Sequence, residues 1–317
     1  VLARGGKARF IHVVGRELGS FGTWIAGVSF IGSTYGALLA YCLFGGQFLR
    51  VVTFSFAPMT PFMALMVFFA LGALATVGGS LLVARIQRFL LPTFLSLLAV
   101  LSAFALPSID WSNFYGYAPE HFGTALGIMV FAFFGMSAVP EARDFLGRAS
   151  STLPALMRKA VTIVGVVYAV FVVAVLGVTV AGTTENAIQG LKNELGHNMY
   201  LLANGIALLV VLSAFMNIAT ALTNTYLHDL RLRFASSWMF TMAVPLLFIV
   251  SGATSMSTVL NISGGVLGSL AGISMLIAYE RARMSAELSK SALRVPQLVV
   301  GLAFCLFVVI LVLTIVG

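Results

Sequence analysis

Charge is what this sequence has least of. Its 317 residues include 18 Lys and Arg and 10 Asp and Glu, 9% in all, where a water-soluble domain carries about 25%. With 60% apolar residues and a mean hydropathy of +1.05, that scarcity excludes a soluble globular protein. The same apolar content excludes a disordered chain. Cysteine is nearly absent. Cys42 and Cys305 each lie in an apolar run without a partner motif, read as small core residues, and say little about redox compartment. Histidine is sparse as well: His12, His121, His197 and His228 are scattered, with no H-E-x-x-H pattern, and no G-x-x-x-x-G-K-[ST] loop occurs. Metal-dependent and nucleotide-driven chemistry are therefore not expected, nor is an enzyme, and no cofactor is called for. The net charge of +8 sits at the ends of apolar segments and forms no patch, so no nucleic-acid partner is expected. What is present is a polytopic, all-α membrane protein.

A helix needs about 20 mainly apolar residues to cross about 30 Å of hydrocarbon. That rule marks nine stretches: 24–49, 62–84, 88–107, 122–140, 160–181, 199–224, 238–253, 257–279 and 296–316. They are continuous, without the alternation of about ten residues that marks a membrane β-barrel.

Lysine and arginine give the orientation. With the N-terminal side cytosolic, that face holds Arg4, Lys7, Arg9, Arg16, Arg85, Arg88, Arg143, Arg148, Arg158, Lys159, Arg231, Arg233, Arg281, Arg283, Lys290 and Arg294. The other receives Arg50 and Lys192. So lopsided a split is what the positive-inside rule predicts, and anionic lipid head groups account for the net charge. The C-terminus then lies outside. Segment 108–121 has four aromatic residues and no Lys or Arg, as an interfacial belt would, and 182–198 has room for a short helix outside the bilayer. Segment 1–20 lacks the apolar core of a signal peptide and reads as an amphipathic segment on the inner surface.

One stretch breaks its own pattern. FGTALGIMVFAFFGMSAVPEARDFLG (122–147) brings Gly135, Ser137 and Pro140 together, followed by Glu141, Arg143 and Asp144. Pro140 has no N–H for the carbonyl of Met136 and disfavours helical angles at Val139, while Gly135 eases unwinding. Two readings fit. One is a plain kink; the other is a substrate-binding break, since irregular backbone at membrane depth is tolerated only where it lines a protein cavity. Glu141 likewise reads either as a solvated cap residue or as an inner gate with Arg143.

The stretches FAFFGMSAVPEARDFL (131–146), ALMRKAVTIVGVVYAVFVVAVLGVTVAGTTENAI (155–188), STYGALLAYCLFGGQFL (33–49) and ISGGVLGSLAGISMLIAYERAR (262–283) carry a resemblance. They resemble bacterial amino acid permeases of the aromatic amino acid transport type, in the amino acid–polyamine–organocation superfamily. The resemblance implies two inverted five-helix repeats plus further helices, about eleven in total. The first span here is similar to the family's third helix, and the chain opens on Val1, so nine helices are present and two are expected upstream. In these terms 1–317 is one permease domain, with 1–121 the remainder of the first repeat, 122–283 the second inverted repeat and 284–317 an extra C-terminal helix. The fourth span becomes the family's broken, substrate-binding helix. The Gly-rich first helix that clasps the substrate's carboxylate has no counterpart in residues 1–20.

By resemblance, Phe134, Gly135, Met136, Ser137 and Ala138 meet the substrate, with carbonyls freed by Gly135 and Pro140 accepting from its ammonium group. Phe131, Phe133 and Phe134 then form an apolar wall, or else pack against lipid and helices. Tyr35, at mid-span, offers its hydroxyl either to the substrate or to a neighbouring helix; Tyr41 is a weaker second choice. Spacings of three and four put Ser213, Asn217, Thr220 and Asn224 on one stripe. That stripe, with Thr223, reads as an ion-coupling face or as interhelical hydrogen bonding. His228 and Asp229 follow at its inner end, read as solvated rather than as a proton relay.

The expectation is secondary active transport of an amino acid, aromatic or otherwise large and neutral, across the cytoplasmic membrane by alternating access. The coupling ion is sodium or proton, and no buried mid-span acid chooses between them. The alternative is a channel or a transporter for another small solute. Beyond the amino acid and membrane lipid the residues name no partner and no oligomeric state.

Overall fold

The computed structural model describes residues 9–54, 56–115, 122–133, 135–179, 191–252, 256–284 and 295–316. Among them there is no strand. In chain order the helices are α1 (Phe10–Thr53), α2 (Pro61–Thr76), α3 (Gly79–Ala105), α4 (Phe122–Phe133), α5 (Ala138–Leu146) and α6 (Leu153–Thr179). They continue with α7 (Leu191–His228), α8 (Phe234–Val250), α9 (Met256–Leu260), a π-helix (Asn261–Gly268), α10 (Ser269–Met284) and α11 (Gln297–Val316). Six segments of the described residues are long and apolar enough to cross a bilayer: Phe10–Thr53, Gly79–Ser108, Leu153–Val178, Gly196–His228, Thr258–Met284 and Gln297–Val316. Pro61–Thr76 and Phe234–Val250 are shorter apolar helices. Large apolar side chains cover the outer faces, as Leu298, Leu302 and Ile315 do on α11. Water would not tolerate so much exposed carbon; acyl chains do. The chain is a multi-pass, α-helical membrane protein.

Local chemistry explains the helix ends. Thr60 caps α2 by accepting the Met63 N–H, and Pro61 fills the first helical position, where no donor is needed. After Thr76 the chain turns through Val77 and Gly78, and Gly79 takes φ +67°, which favours glycine. This corrects the expected boundary. A cytosolic loop around Arg85 and Arg88 was anticipated; the Gly78–Gly79 pair instead ends α2 earlier, and both arginines ride inside α3. Of 182–198, the described part from Leu191 is helical and bends at Gly196 (φ +80°) before the long run of α7. In the aromatic 108–121 segment, Trp111–Tyr115 forms a 3-10 turn. The Asp110 N–H and the Asn113 amide both donate to the carbonyl of Gly177, at 2.9 and 2.8 Å.

The chain divides into two compact units, passing between them within α1, α6 and α7. The first holds Val1–Leu39, Pro119–Arg158 and Ala221–Gly317; the second holds Ala40–Ala118 and Lys159–Thr220. In the second unit, Phe48, Leu101, Val175, Tyr200 and Ala203 form one buried cluster. The ring of Phe215 meets Phe68 and Phe69 edge-on and fills the space Gly72 leaves. In the first unit α1 kinks at Gly19 (φ +72°, ψ −160°), so that Phe10–Leu18 folds back on Ala26, Phe30 and Ile31 and on Ala271, Met275 and Ala278 of α10. Phe10 and Phe30 stack with centroids 4.9 Å apart. The π-helix lies against α1, where a methyl on Gly36 would strike Ser263, and against α11, where Gly265 faces Thr314. Its glycines permit that approach.

Candidate functional site

The break, the cavity beside it and the charged cluster on α5 all lie within the first unit. The apolar run 122–146 does not form one helix: α4 ends at Phe133, and Gly135, Met136 and Ser137 separate it from α5. The break falls a turn earlier than the prolyl argument alone expects. Pro140 is the third residue of α5, in the first turn, where a missing N–H costs nothing, and it is buried. The glycine side does the unwinding; the proline fits the restart. Carbonyls expected to be freed are partly used: Gly135 O accepts the Ala138 N–H at 3.1 Å and Met136 O the Val139 N–H at 3.4 Å. Each retains a second lone pair. The hydroxyl of Ser137 makes no capping bond. Phe134 lies outside the described residues, as do the side chains of Phe131 and Phe133.

Beside the break is a cavity of about 430 Å³, lined by Leu126, Met129 and Val130 of α4, Met136 of the break, Gly272, Met275 and Leu276 of α10, and Leu306, Phe307 and Ile310 of α11. Its walls are apolar throughout. A volume of this size is in the ordinary range for small-molecule sites, and three methionines make it adaptable in shape.

From the first turn of α5 onward runs a charged cluster. Arg9 is buried, with Nη1 3.2 Å from Glu141 Oε1 and Nη2 2.9 Å from Asp144 Oδ2. Its Nε is buried without a hydrogen-bond acceptor among the described residues. Asn224 Nδ2 donates to both oxygens of Glu141, at 3.0 and 3.1 Å. Arg143 Nη2 lies 3.2 Å from Asp144 Oδ1. Asp229 accepts the backbone N–H groups of Arg9 (3.0 Å) and His12 (3.3 Å), so a carboxylate from the end of α7 caps the start of α1. Burial pushes the Glu141 carboxyl above the usual carboxylate range, against the pull of Arg9 and of the Asn224 amide. Burial raises Asp229 too, against the two N–H groups it accepts.

Two expectations change here. Glu141 is not a solvated cap residue; its side chain is 19% exposed and its described partners include Arg9 and Asn224. Asp229 is half-buried and structural. Arg9 was expected only as a positive-inside marker. Its sole sequence signal is its place before an amphipathic FIHVV run, since partners 132, 135 and 220 residues away cannot be read from spacing.

The remaining site residues are dispersed. Tyr35 hydrogen-bonds Tyr226 Oη at 2.6 Å and donates to the carbonyl of Phe240 at 2.9 Å, the neighbouring-helix arrangement. Tyr41, in the second unit, is an interior residue of α1. The α7 stripe divides between the units. In the second, Ser213 bonds Gln87, Asn217 is exposed, and Thr220 Oγ1 is buried without a hydrogen bond among the described residues. In the first, Thr223 donates to Thr241 Oγ1 at 3.1 Å and Asn224 holds Glu141.

These features define a class: a membrane-embedded helical protein with an interrupted apolar helix, an apolar cavity at the interruption and a partly buried charged cluster on the short helix that follows. No protein-family model matches the chain, and no curated protein matches it either.

Proposed function

We propose that the chain is a secondary transporter that carries an amino acid with a large neutral side chain by alternating access. One observation carries the reading: the interruption at Gly135–Ser137 opens beside an apolar cavity of about 430 Å³. A bilayer protein keeps irregular backbone only where something polar uses it. The last carbonyls of α4 and those of Gly135 and Met136 suit an ammonium group, the Ser137 hydroxyl suits a carboxylate oxygen, and the cavity suits the side chain. Phe134, Gly135, Met136, Ser137 and Ala138 are the binding segment in this proposal.

The finer architecture belongs to the same proposal: nine spans in an inverted five-helix-repeat arrangement, N-terminal side cytosolic, in a cytoplasmic membrane. It is supported by the contacts that gather the start of α1, the end of α7, α5 and the end of α10 at one place. These include the bond from Arg281 Nη1 to Glu17 O at 3.1 Å. They are the segments whose basic residues mark a cytosolic face. Coupling is by sodium, with Thr220 a buried hydroxyl that has no hydrogen-bond partner among the described residues, or by proton, with Glu141 the acid able to hold one.

Uptake of labelled aromatic and aliphatic amino acids into proteoliposomes, under sodium and proton gradients in turn, tests the proposal. Saturable uptake of at least one is expected, and Gly135→Leu abolishes it without loss of folded protein. Absence of saturable uptake under both gradients would falsify it.

A further inference from the structure

The segment before the Gly19 kink is held in three ways. Its apolar side chains are buried, Val13 to 5% and Val14 to 0% exposure, and Phe10, Ile11 and Val14 belong to a core cluster against which Met136 of the break also packs. Arg9, just ahead of its first turn, is ion-paired to two acids of α5. Asp229 caps the same turn from the end of α7. Gly19 itself has a backbone geometry of φ +72° and ψ −160°, with open space around its α-carbon. The segment is therefore tied to the half-helix α5 through Arg9, shares a core cluster with Met136 of the interruption, and joins the rest of α1 through a single permissive residue.

From this juxtaposition we infer that Phe10–Leu18 is a releasable latch on the broken helix, hinged at Gly19 and bolted by Arg9 to Glu141 and Asp144. While it is bolted, α5 is fixed and Met136 is covered from the side of the segment. Release of Arg9 frees both together. The ionic part suits a latch because a buried pair resists opening as a unit: losing one partner leaves the other charge buried and unpaired. The role of the latch in moving substrate rests on the transporter reading above; its existence does not.

Cysteine accessibility reads the latch directly. Cys305, which is exposed, is replaced by serine, and Cys42, which is buried, is left in place. Val13→Cys in this full-length background should react slowly with a water-soluble maleimide. Adding Arg9→Gln should raise its rate by about 100-fold, while a cysteine at exposed Phe145 keeps its rate as the control for reagent access and a cooperative thermal transition in detergent shows that the variant is folded. Gly19→Ala should raise the Val13→Cys rate without altering any charge, because alanine does not hold that backbone geometry. An unchanged rate in Arg9→Gln overturns the latch. Where that variant does not fold, an unchanged rate in Gly19→Ala overturns it. If labelling responds as expected but no amino acid is taken up, the transporter reading falls and the latch stands. Uptake with inert labelling is the reverse.

Discussion

The two units spend their polar groups in opposite ways. In the second, long helices pack through rings and glycine seats: Phe215 between Phe68 and Phe69 over Gly72, and Phe48 with Leu101 and Val175. Its described polar bonds are mostly hydroxyls bonding carbonyls a turn away, with Gln87–Ser213 and the Asp110 and Asn113 bonds to Gly177 reaching between elements. The first unit holds the kink at Gly19, the interruption at Gly135–Ser137, the π-helix at Asn261–Gly268 and the buried Arg9 cluster. Each departure from regular helix costs stability in a bilayer, where unmet backbone groups find no water. The second unit has the Gly196 bend and the Gly78–Gly79 turn, but no interruption beside a cavity and no ion-paired cluster among the described residues; on the transporter reading the first unit is the part expected to change shape.

If so, the second unit should be the more sensitive to lost packing. Phe215→Ala removes a fully buried ring from a site that cannot collapse around it, and should cost about 3–5 kcal/mol. Thermal unfolding in detergent measures this. Adding Gly72→Ala, whose methyl would otherwise strike the ring, should return about 1 kcal/mol. A loss no larger than a surface substitution would break the contrast, because it would show the second unit to be loosely packed.

The first unit should instead respond to pH. Burial raises the carboxyls of Glu141 and Asp229; Arg9 and Asn224 oppose the rise at Glu141 while Asp144 adds to it, and Arg9 and His12 oppose it at Asp229. A group whose pKa is higher folded than unfolded adds stability below its unfolded value, roughly 4 for a carboxyl, and loses it as pH climbs through the raised folded value. Acid should therefore tighten this end of the first unit, and a rise toward neutral pH should loosen it. Ion-pair intuition gives the opposite sign; desolvation outweighs Arg9 here. Segment-resolved hydrogen exchange across that window should show α5 and the first turn of α1 losing protection as pH rises. Glu141→Gln should flatten the response. Unaltered pH dependence in that variant would remove Glu141 as its source.

How much of this contrast the sequence carries differs between the units. Hydropathy marks the spans because membrane crossing is a property of a single segment, and the Gly135–Pro140 punctuation marks the break for the same reason. The Gly78–Gly79 turn is equally local, but a rule that counts about 20 mainly apolar residues runs straight across it. Burial of Arg9 is different in kind. Only the FIHVV run that follows sets Arg9 apart locally; its burial comes from the meeting of α5 and the end of α7 with the start of α1. The pairing of Gln87 with Ser213, 126 residues apart, is hidden for the same reason.

That pair gives the smallest expected effect and the sharpest test of the regular unit. Gln87 Nε2 donates to Ser213 O at 2.9 Å, and Ser213 Oγ lies 2.6 Å from Gln87 Oε1, a reciprocal clasp between α3 and α7. Interhelical hydrogen bonds in membranes contribute about 0.6 kcal/mol on average, and up to about 1.7. A double-mutant cycle of Gln87→Ala and Ser213→Ala should return a coupling in that range by thermal unfolding. Ser213 also belongs to the stripe read as an ion-coupling face, and the two roles separate in transport. As a clasp, Ser213→Ala lowers stability slightly and leaves the sodium or proton dependence of uptake unchanged. A shifted ion dependence at undiminished stability would instead assign Ser213 to coupling, and the second unit would then share in the work assigned to the first.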